Sequence, residues 1–180
     1  MKRVLLGSVL ATMALMSFQA SADDEFAPKR SEVNVAGILD NASTQGTSET
    51  ITNIFGSYGY YFTPQIVGNV NVNYLSISSG GTTLEDINVG VGAKYYFMVG
   101  KKGDITPWVE GDVGLATIQT GSAGSANGYD ISAAVGGTYW MTENAGPFVD
   151  GRLRSTWITL NGSSSTVTEA ILEFGVSLKF

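Results

Sequence analysis

Apolar and polar residues alternate with a period of two along most of the chain, and the last stretch shows this most clearly. One of its faces is apolar throughout, with Ala170, Leu172, Phe174, Val176, Leu178 and Phe180. The other face is mixed, with Ile171, Glu173, Gly175, Ser177 and Lys179. This pattern predicts a β-strand with one apolar face. Ending such a face on Phe180 is typical of a strand that meets lipid, because aromatic side chains anchor at the bilayer interface.

Seven further stretches alternate in the same way. They predict strands at about 31–41, 50–62, 66–74, 85–98, 106–117, 130–141 and 147–160. Short turns at 63–65, 100–104 and 143–146 join some of them, and longer loops at about 42–49, 78–83, 119–128 and 161–165 join the others. An even count of eight alternating strands predicts an all-β fold, an eight-stranded antiparallel up-and-down transmembrane β-barrel.

Aromatic residues recur where strands two, four and six end, in the motifs that begin at Tyr60, Tyr95 and Tyr139. The last strand ends on Phe180 at the corresponding place, so all four ends share one rim. Aromatic residues at one level predict an interface girdle, made of Tyr60, Phe62, Tyr95, Phe97 and Tyr139. The short turns at this rim favour the periplasmic side, with both termini there.

The chain begins with the features of a secretory signal peptide. Lys2 and Arg3 precede an apolar stretch from Val4 to Met16, and Ala20-Ser-Ala22 is a small-residue cleavage site. These features predict a cleaved signal peptide at 1–22 and a barrel domain at 23–180. Cleavage leaves eight basic against sixteen acidic residues, so nucleic acid is not an expected partner.

The polar faces of the strands carry many charges and amides. In a barrel this narrow, they are expected to meet across the lumen as one charge network, made of Lys94, Glu110, Asp112, Asp150, Arg152, Arg154 and Glu173. The network favours a lumen filled by ion pairs, because an isolated buried charge is costly. An ion path or binding site is the alternative. A soluble barrel, with its apolar face inside, is a second alternative that alternation alone leaves open.

The chain contains neither His nor Cys. It therefore lacks the usual Ser-His or Cys-His nucleophile, an imidazole base and the ordinary zinc ligands. Glu110 and Asp112 lie side by side on one strand face rather than on opposite sides of a scissile bond. We expect no enzyme activity, no catalytic residue, no cofactor and no metal site.

Signal peptide, even strand count, aromatic rim and terminal Phe180 together resemble the OmpX-like and opacity-type small barrels of Gram-negative outer membranes. The resemblance implies outer-membrane localisation, contact with outer-membrane lipid and a monomer. It also implies that periplasmic chaperones and the barrel-assembly machinery act during biogenesis, with an assembly signal at Phe174, Val176, Leu178 and Phe180. The leading role is structural or surface-interacting, with a plugged polar lumen and loops that leave open a host or cell-surface ligand. A narrow porin-like channel for small solutes is the alternative.

Overall fold

The computed structural model describes residues 31–44, 47–120, 124–160 and 163–180, with side chains at 31–37, 50–119, 124–159 and 164–180. The strands are β1 (Ser31–Thr44), β2 (Thr47–Tyr61), β3 (Ile66–Ser79), β4 (Thr82–Tyr96), β5 (Ile105–Thr120), β6 (Gly124–Tyr139), β7 (Ala145–Leu160) and β8 (Ser163–Lys179). They form a closed antiparallel barrel in sequence order. The predicted fold class is confirmed. The predicted signal peptide lies outside the described residues.

No helix within the described ranges is long and apolar enough to cross a bilayer.

The barrel has two rims, which we name by what they carry. The terminal rim carries Ser31 and Phe180, whose backbones exchange two hydrogen bonds of 3.0 Å. The hairpin rim lies at the other end and includes the tight turn between β3 and β4. We followed the strand pairing from Ser31 through β2 to β8 and back to β1. The path returns to β1 at the level of Asn41, ten residues further along, so the barrel has a shear of ten. Such a shear tilts the strands, as barrel closure requires.

The outward face of the wall is an exposed apolar band. Val91, Val135 and Leu153 are 56, 62 and 62% exposed, while the polar residues between them in each strand face inward. On β6 the band runs from Tyr139 to Tyr129, which are ten positions apart. This matches the roughly 9 to 11 residues of a tilted membrane strand. A soluble barrel with an apolar interior is therefore the wrong description of this part of the wall.

A second aromatic level, which the sequence pattern did not predict, borders the band on the side of the hairpin rim. Tyr74, Tyr129 and Trp157 lie there, and the rings of Tyr129 and Trp157 stack with centroids 5.2 Å apart. The apolar band thus has aromatic residues at both borders, as membrane barrels do.

The strands continue toward the hairpin rim beyond their predicted ends. The predicted loops at 42–49, 78–83, 119–128 and 161–165 are largely strand, and the connections between strand bounds at this rim are two or three residues long. Gly80 and Gly81 have φ values of 57° and 84°, which suits a two-residue hairpin turn. The Ser and Thr residues of these stretches are typical of loops, which is why the sequence predicted loops there. They are equally compatible with strands whose outer face is exposed to water.

Candidate functional site: the charged lumen

The strand register brings the inward charges into contact. Lys94 on β4 lies opposite Glu110 on β5, and Asp150 on β7 lies opposite Glu173 on β8. Side chains opposite each other on one face of an antiparallel pair are close neighbours. The curvature of the wall adds contacts across the lumen, so that residues distant in sequence form three linked clusters.

The first cluster surrounds Glu32, near the terminal rim. Lys94 Nζ lies 3.1 Å from Glu32 Oε1 and 3.3 Å from Glu110 Oε2. Tyr96 Oη donates to Glu32 Oε2 at 2.7 Å, Tyr61 Oη donates to the same oxygen, and Asn34 Nδ2 donates to Oε1 at 2.8 Å. Glu32 is fully buried. A carboxylate with this many donors is held in place as an anion.

The second cluster surrounds Arg152, in the middle of the lumen. Its guanidinium lies 3.0 Å from Glu110, 2.6 Å from Asp112 and 3.4 Å from Glu173. Its Nη1 also donates to Ser132 Oγ at 3.0 Å. One buried cation therefore joins carboxylates from β5 and β8 and spans the interior. Such a group is costly to bury unless all its partners are present.

The third cluster surrounds Arg154, closer to the hairpin rim. Its Nη2 lies 2.8 Å from Glu169 and 3.6 Å from Asp86, and its Nη1 donates to Asn73 Oδ1 at 2.9 Å. Asn73 in turn donates to Asn53 at 2.7 Å. The amides of β2 and β3 therefore extend the network to the opposite wall.

Backbone atoms approach closely between the clusters because glycines face the lumen there. A Cβ at Gly92 would lie 2.0 Å from Asp112 Oδ1 and 2.6 Å from the Gly111 carbonyl oxygen. Gly90 and Gly114 are similarly crowded, with atoms at 2.6 and 2.5 Å. Little free space remains at this level, so the side chains fill the barrel.

Two buried side chains in the described lumen have no hydrogen-bond partner at any polar atom. These are Asn69, at both amide atoms, and Asp150, at both carboxylate oxygens. Asp150 lies opposite Glu173, a like charge, and forms no ion pair within the described residues. Buried polar groups of this kind are commonly satisfied by internal water.

Aromatic side chains close the lumen at the terminal rim. Trp140 and Tyr96 are 0 and 1% exposed, and Lys179 Nζ lies 3.6 Å from the Trp140 ring centroid. The same ammonium lies 5.6 Å from the Tyr61 ring and 5.4 Å from the Tyr96 ring. The middle residues of the aromatic repeat therefore point inward and bind a cation, an arrangement stabilised by the ring quadrupoles.

All seven residues of the predicted charge network lie in the lumen, and six of them form ion pairs; Asp150 is the seventh. Sequence reasoning missed Glu32, although it shares the face of Asn34 two positions later. It also missed Trp108, whose ring centroid lies 4.5 Å from Lys94 Nζ. Phe55 interrupted the polar face of β2 in the sequence, and its ring lies 4.9 Å from the Arg152 guanidinium carbon.

The predicted girdle residues are exposed at the terminal rim, where Tyr60 and Phe62 meet edge to face at 5.7 Å and Tyr95 and Phe97 at 5.4 Å. Tyr139 is 46% exposed beside them. The residues of the predicted assembly signal point outward on β8, with Leu178 half-buried and the others more exposed, Phe174, Val176 and Phe180. Among the described residues, no three His, Cys, Asp or Glu side chains are grouped so as to hold a metal ion.

The comparisons with known proteins concern the fold. Neisserial surface protein A is 19% identical over 83% of this chain and 96% of its own, with a TM-score of 0.61. The N-terminal barrel of OprF from Pseudomonas aeruginosa is 18% identical over 84% of this chain and 98% of its own, with a TM-score of 0.55. OprG from the same species is 15% identical over 87% of this chain and 99% of its own, with a TM-score of 0.54.

No protein-family model matches the chain, and no curated protein matches it in sequence. Identity below one fifth limits the likeness to the fold, which extends over nearly the whole length of both of these barrels. The protein therefore has the fold of the small eight-stranded outer-membrane β-barrels.

Proposed function

We propose that the protein is an integral barrel of the bacterial outer membrane, with a structural or surface-interaction role and a lumen closed by ion pairs. The outward apolar band and its aromatic borders support the membrane location. We place the terminal rim on the periplasmic side and the hairpin rim outside, so that both termini are periplasmic. We assign no catalytic role to the lumen, because six of its eight inward carboxylates are paired with cations.

The main support for a closed lumen is a set of seven ion pairs, which link neighbouring strands and also strands on opposite sides of the interior. The Arg152 guanidinium by itself links β7 to carboxylates on two other strands, β5 and β8. A solute passing along the axis must break these pairs and leave charges without partners, which costs several kcal/mol. The closed end at Trp140 adds a second obstruction.

A swelling assay on vesicles that contain the protein tests this proposal. Vesicles loaded with an impermeant polymer should not swell in isotonic glycerol or arabinose faster than protein-free vesicles. A matched sample of a known general porin supplies the positive control. Swelling at the rate of the porin control contradicts a closed lumen.

A narrow cation-selective pore is the second candidate, and the charge count of the lumen favours it over an anion pore. Among the described side chains, four cations face inward, Lys94, Arg152, Arg154 and Lys179. Eight carboxylates face inward, Glu32, Asp86, Glu110, Asp112, Asp130, Asp150, Glu169 and Glu173. If water connects Asn69 and Asp150, a conducting lumen should pass potassium in preference to chloride.

A further inference from the structure

Asp150 and Glu173 form a pair of buried carboxyl groups beside the Arg152 cluster. They lie directly opposite each other on β7 and β8, and their side chains are within hydrogen-bonding reach. Asp150 is 3% exposed and Glu173 is 2% exposed. Two ionised carboxylates in such contact repel each other, and neither has a hydrogen to donate. The contact is favourable only if one of the two groups carries a proton.

Among the described side chains, no cation forms an ion pair with Asp150. The charged groups that act on it come from four strands: Lys94 on β4, Glu110 on β5, Arg152 on β7 and Glu173 on β8. The strand on its other side, β6, places Gly136 opposite it. Both cations are already bound to other carboxylates, at 2.6 to 3.4 Å. The negative charge of an ionised Asp150 would therefore stay unbalanced in the interior.

A proton fits this contact better than a metal cation or a water molecule. The two oxygens of Asp150 and Oε1 of Glu173 each expose less than 1 Å². The wall beside them is tightly packed, since a Cβ at Gly136 would lie 2.5 Å from Trp108 Cζ2 and 2.7 Å from Asp150 Cβ. A bound cation needs space and several oxygen ligands. Water would not remove the charge, whereas a shared proton removes it and needs no space.

We propose that Asp150 and Glu173 share one proton, so that the lumen contains a proton-binding site beside Arg152. Asp150 carries the proton and donates it to Glu173 Oε1, which otherwise has no hydrogen-bond partner. Glu173 Oε2 remains free to accept from Arg152 Nε at 3.4 Å. This assignment satisfies Glu173 at both oxygens and leaves the pair with a single negative charge next to the guanidinium.

The shared proton links the closure of the lumen to pH, and this consequence rests on the closed lumen proposed above. At alkaline pH the proton leaves to water, and two negative charges remain in contact in an interior of low dielectric. The two side chains must then separate. Glu173 makes the longest of the three ion pairs of Arg152. We therefore expect the Arg152 cluster to open on the side of β8.

A pair of matched substitutions tests the charge of Asp150. Asp150→Asn replaces the acid O–H by an amide N–H of nearly the same shape, so it should leave the urea midpoint of the protein in vesicles unchanged at neutral pH. Asp112→Asn is the control and should lower the midpoint, because it removes a charge bound to Arg152 at 2.6 Å. A higher midpoint for Asp150→Asn would mean that Asp150 is ionised and repelled. A lower one would mean that a cation binds it. Either result overturns the proposal.

Infrared spectroscopy at neutral pH detects the proton directly. A protonated carboxyl group has a C=O band that is distinct from the bands of carboxylates and peptide groups. We expect this band in the wild type and in Asp112→Asn, and we expect Asp150→Asn to lack it. A wild-type spectrum without the band, or a band that Asp150→Asn retains in full, overturns the proposal.

Current recordings at rising pH test the consequence for closure. The wild type should be silent at neutral pH and conduct once the proton is lost, whereas Asp150→Asn should stay silent at the same alkaline pH. Current at the same pH in both proteins, or a silent wild type at every pH at which the barrel stays folded, contradicts proton-dependent closure. Wild-type current already at neutral pH contradicts the closed lumen instead, and the infrared comparison still decides whether the proton is shared.

Discussion

Replacing Arg152 by Met tests whether the lumen network holds the barrel together. The substitution keeps much of the side-chain volume but removes the cation that lies 3.0, 2.6 and 3.4 Å from three carboxylates. Glu110 keeps Lys94 at 3.3 Å, and Asp112 keeps Ser132 and Asn71 as donors at 3.0 and 2.7 Å. Glu173 has no other cation within 4 Å among the described residues.

Breaking a buried ion pair from one side costs about 3 to 5 kcal/mol, because it leaves charge uncompensated in a low dielectric. We expect a loss of that size in the free energy of unfolding for Arg152→Met. Urea titration of the protein in vesicles measures it, with the heat-shifted gel band reporting the folded fraction. Lys101→Met, in the exposed turn between β4 and β5, is the control and should stay within about 0.5 kcal/mol of wild type.

Adding Glu173→Gln should recover part of the loss, since it removes the carboxylate left with no cation. The double variant should therefore be more stable than Arg152→Met alone. A loss for Arg152→Met no larger than that of Lys101→Met refutes the reasoning, because the guanidinium would then not be buried among these partners. A double variant less stable than the single one would show that Glu173 has another cationic partner.

Three further predictions concern the wall, its packing and its assembly. Val91→Arg puts a charge against lipid and should cost about 2 to 4 kcal/mol, whereas Asn71→Ser at the same level only shortens a lumen side chain and should cost less in the same urea titration; the reverse order contradicts the assigned faces. Gly92→Ala forces a contact of 2.0 Å with a carboxylate oxygen and should lower the urea midpoint, while Gly151→Ala, with nothing within 4 Å, should leave it unchanged. Deleting Phe180 should slow assembly into the outer membrane, as measured by pulse-chase and gel shift; assembly at the wild-type rate removes that residue from the predicted signal.

The alternation of apolar and polar residues was enough to predict eight strands, their order and their two faces. The outer face of β4 shows why. Val89, Val91 and Ala93 pack against no core, so their only requirement is to be apolar, and the alternation with inward polar residues is regular. Register was also accessible in part, because short turns at the terminal rim limit how neighbouring strands can pair.

The limits of strand prediction came from residues that suit two environments. Ser78 and Thr83 were assigned to a loop by composition, yet they pair across the tight turn at Gly80, with hydroxyls 3.0 Å apart. The same polar outer residues hid the reversal of polarity near the hairpin rim, where Ile77 and Leu84 face inward. Periodicity gives a face, but it does not say where along the strand the surroundings change from lipid to water.

The partners within the lumen could not be predicted from single strands. Lys94 contacts Glu32, 62 positions earlier, and Arg154 contacts Asn73, 81 positions earlier. Such contacts depend on the shear and diameter of the closed barrel, which no local pattern carries. Glu32 shares the inward face of Asn34 on β1, but nothing in β1 alone shows that it meets Lys94 on β4.

Single-channel recording in a planar bilayer tests the closed lumen most directly. The purified, folded protein is compared with Arg152→Ala/Arg154→Ala, which removes two of the cations that bridge the interior. The account predicts no steps of current from the wild type and measurable leak from the double variant, selective for potassium over chloride. Steady channels from the wild type, with conductance unchanged in the double variant, would contradict a lumen closed by ion pairs.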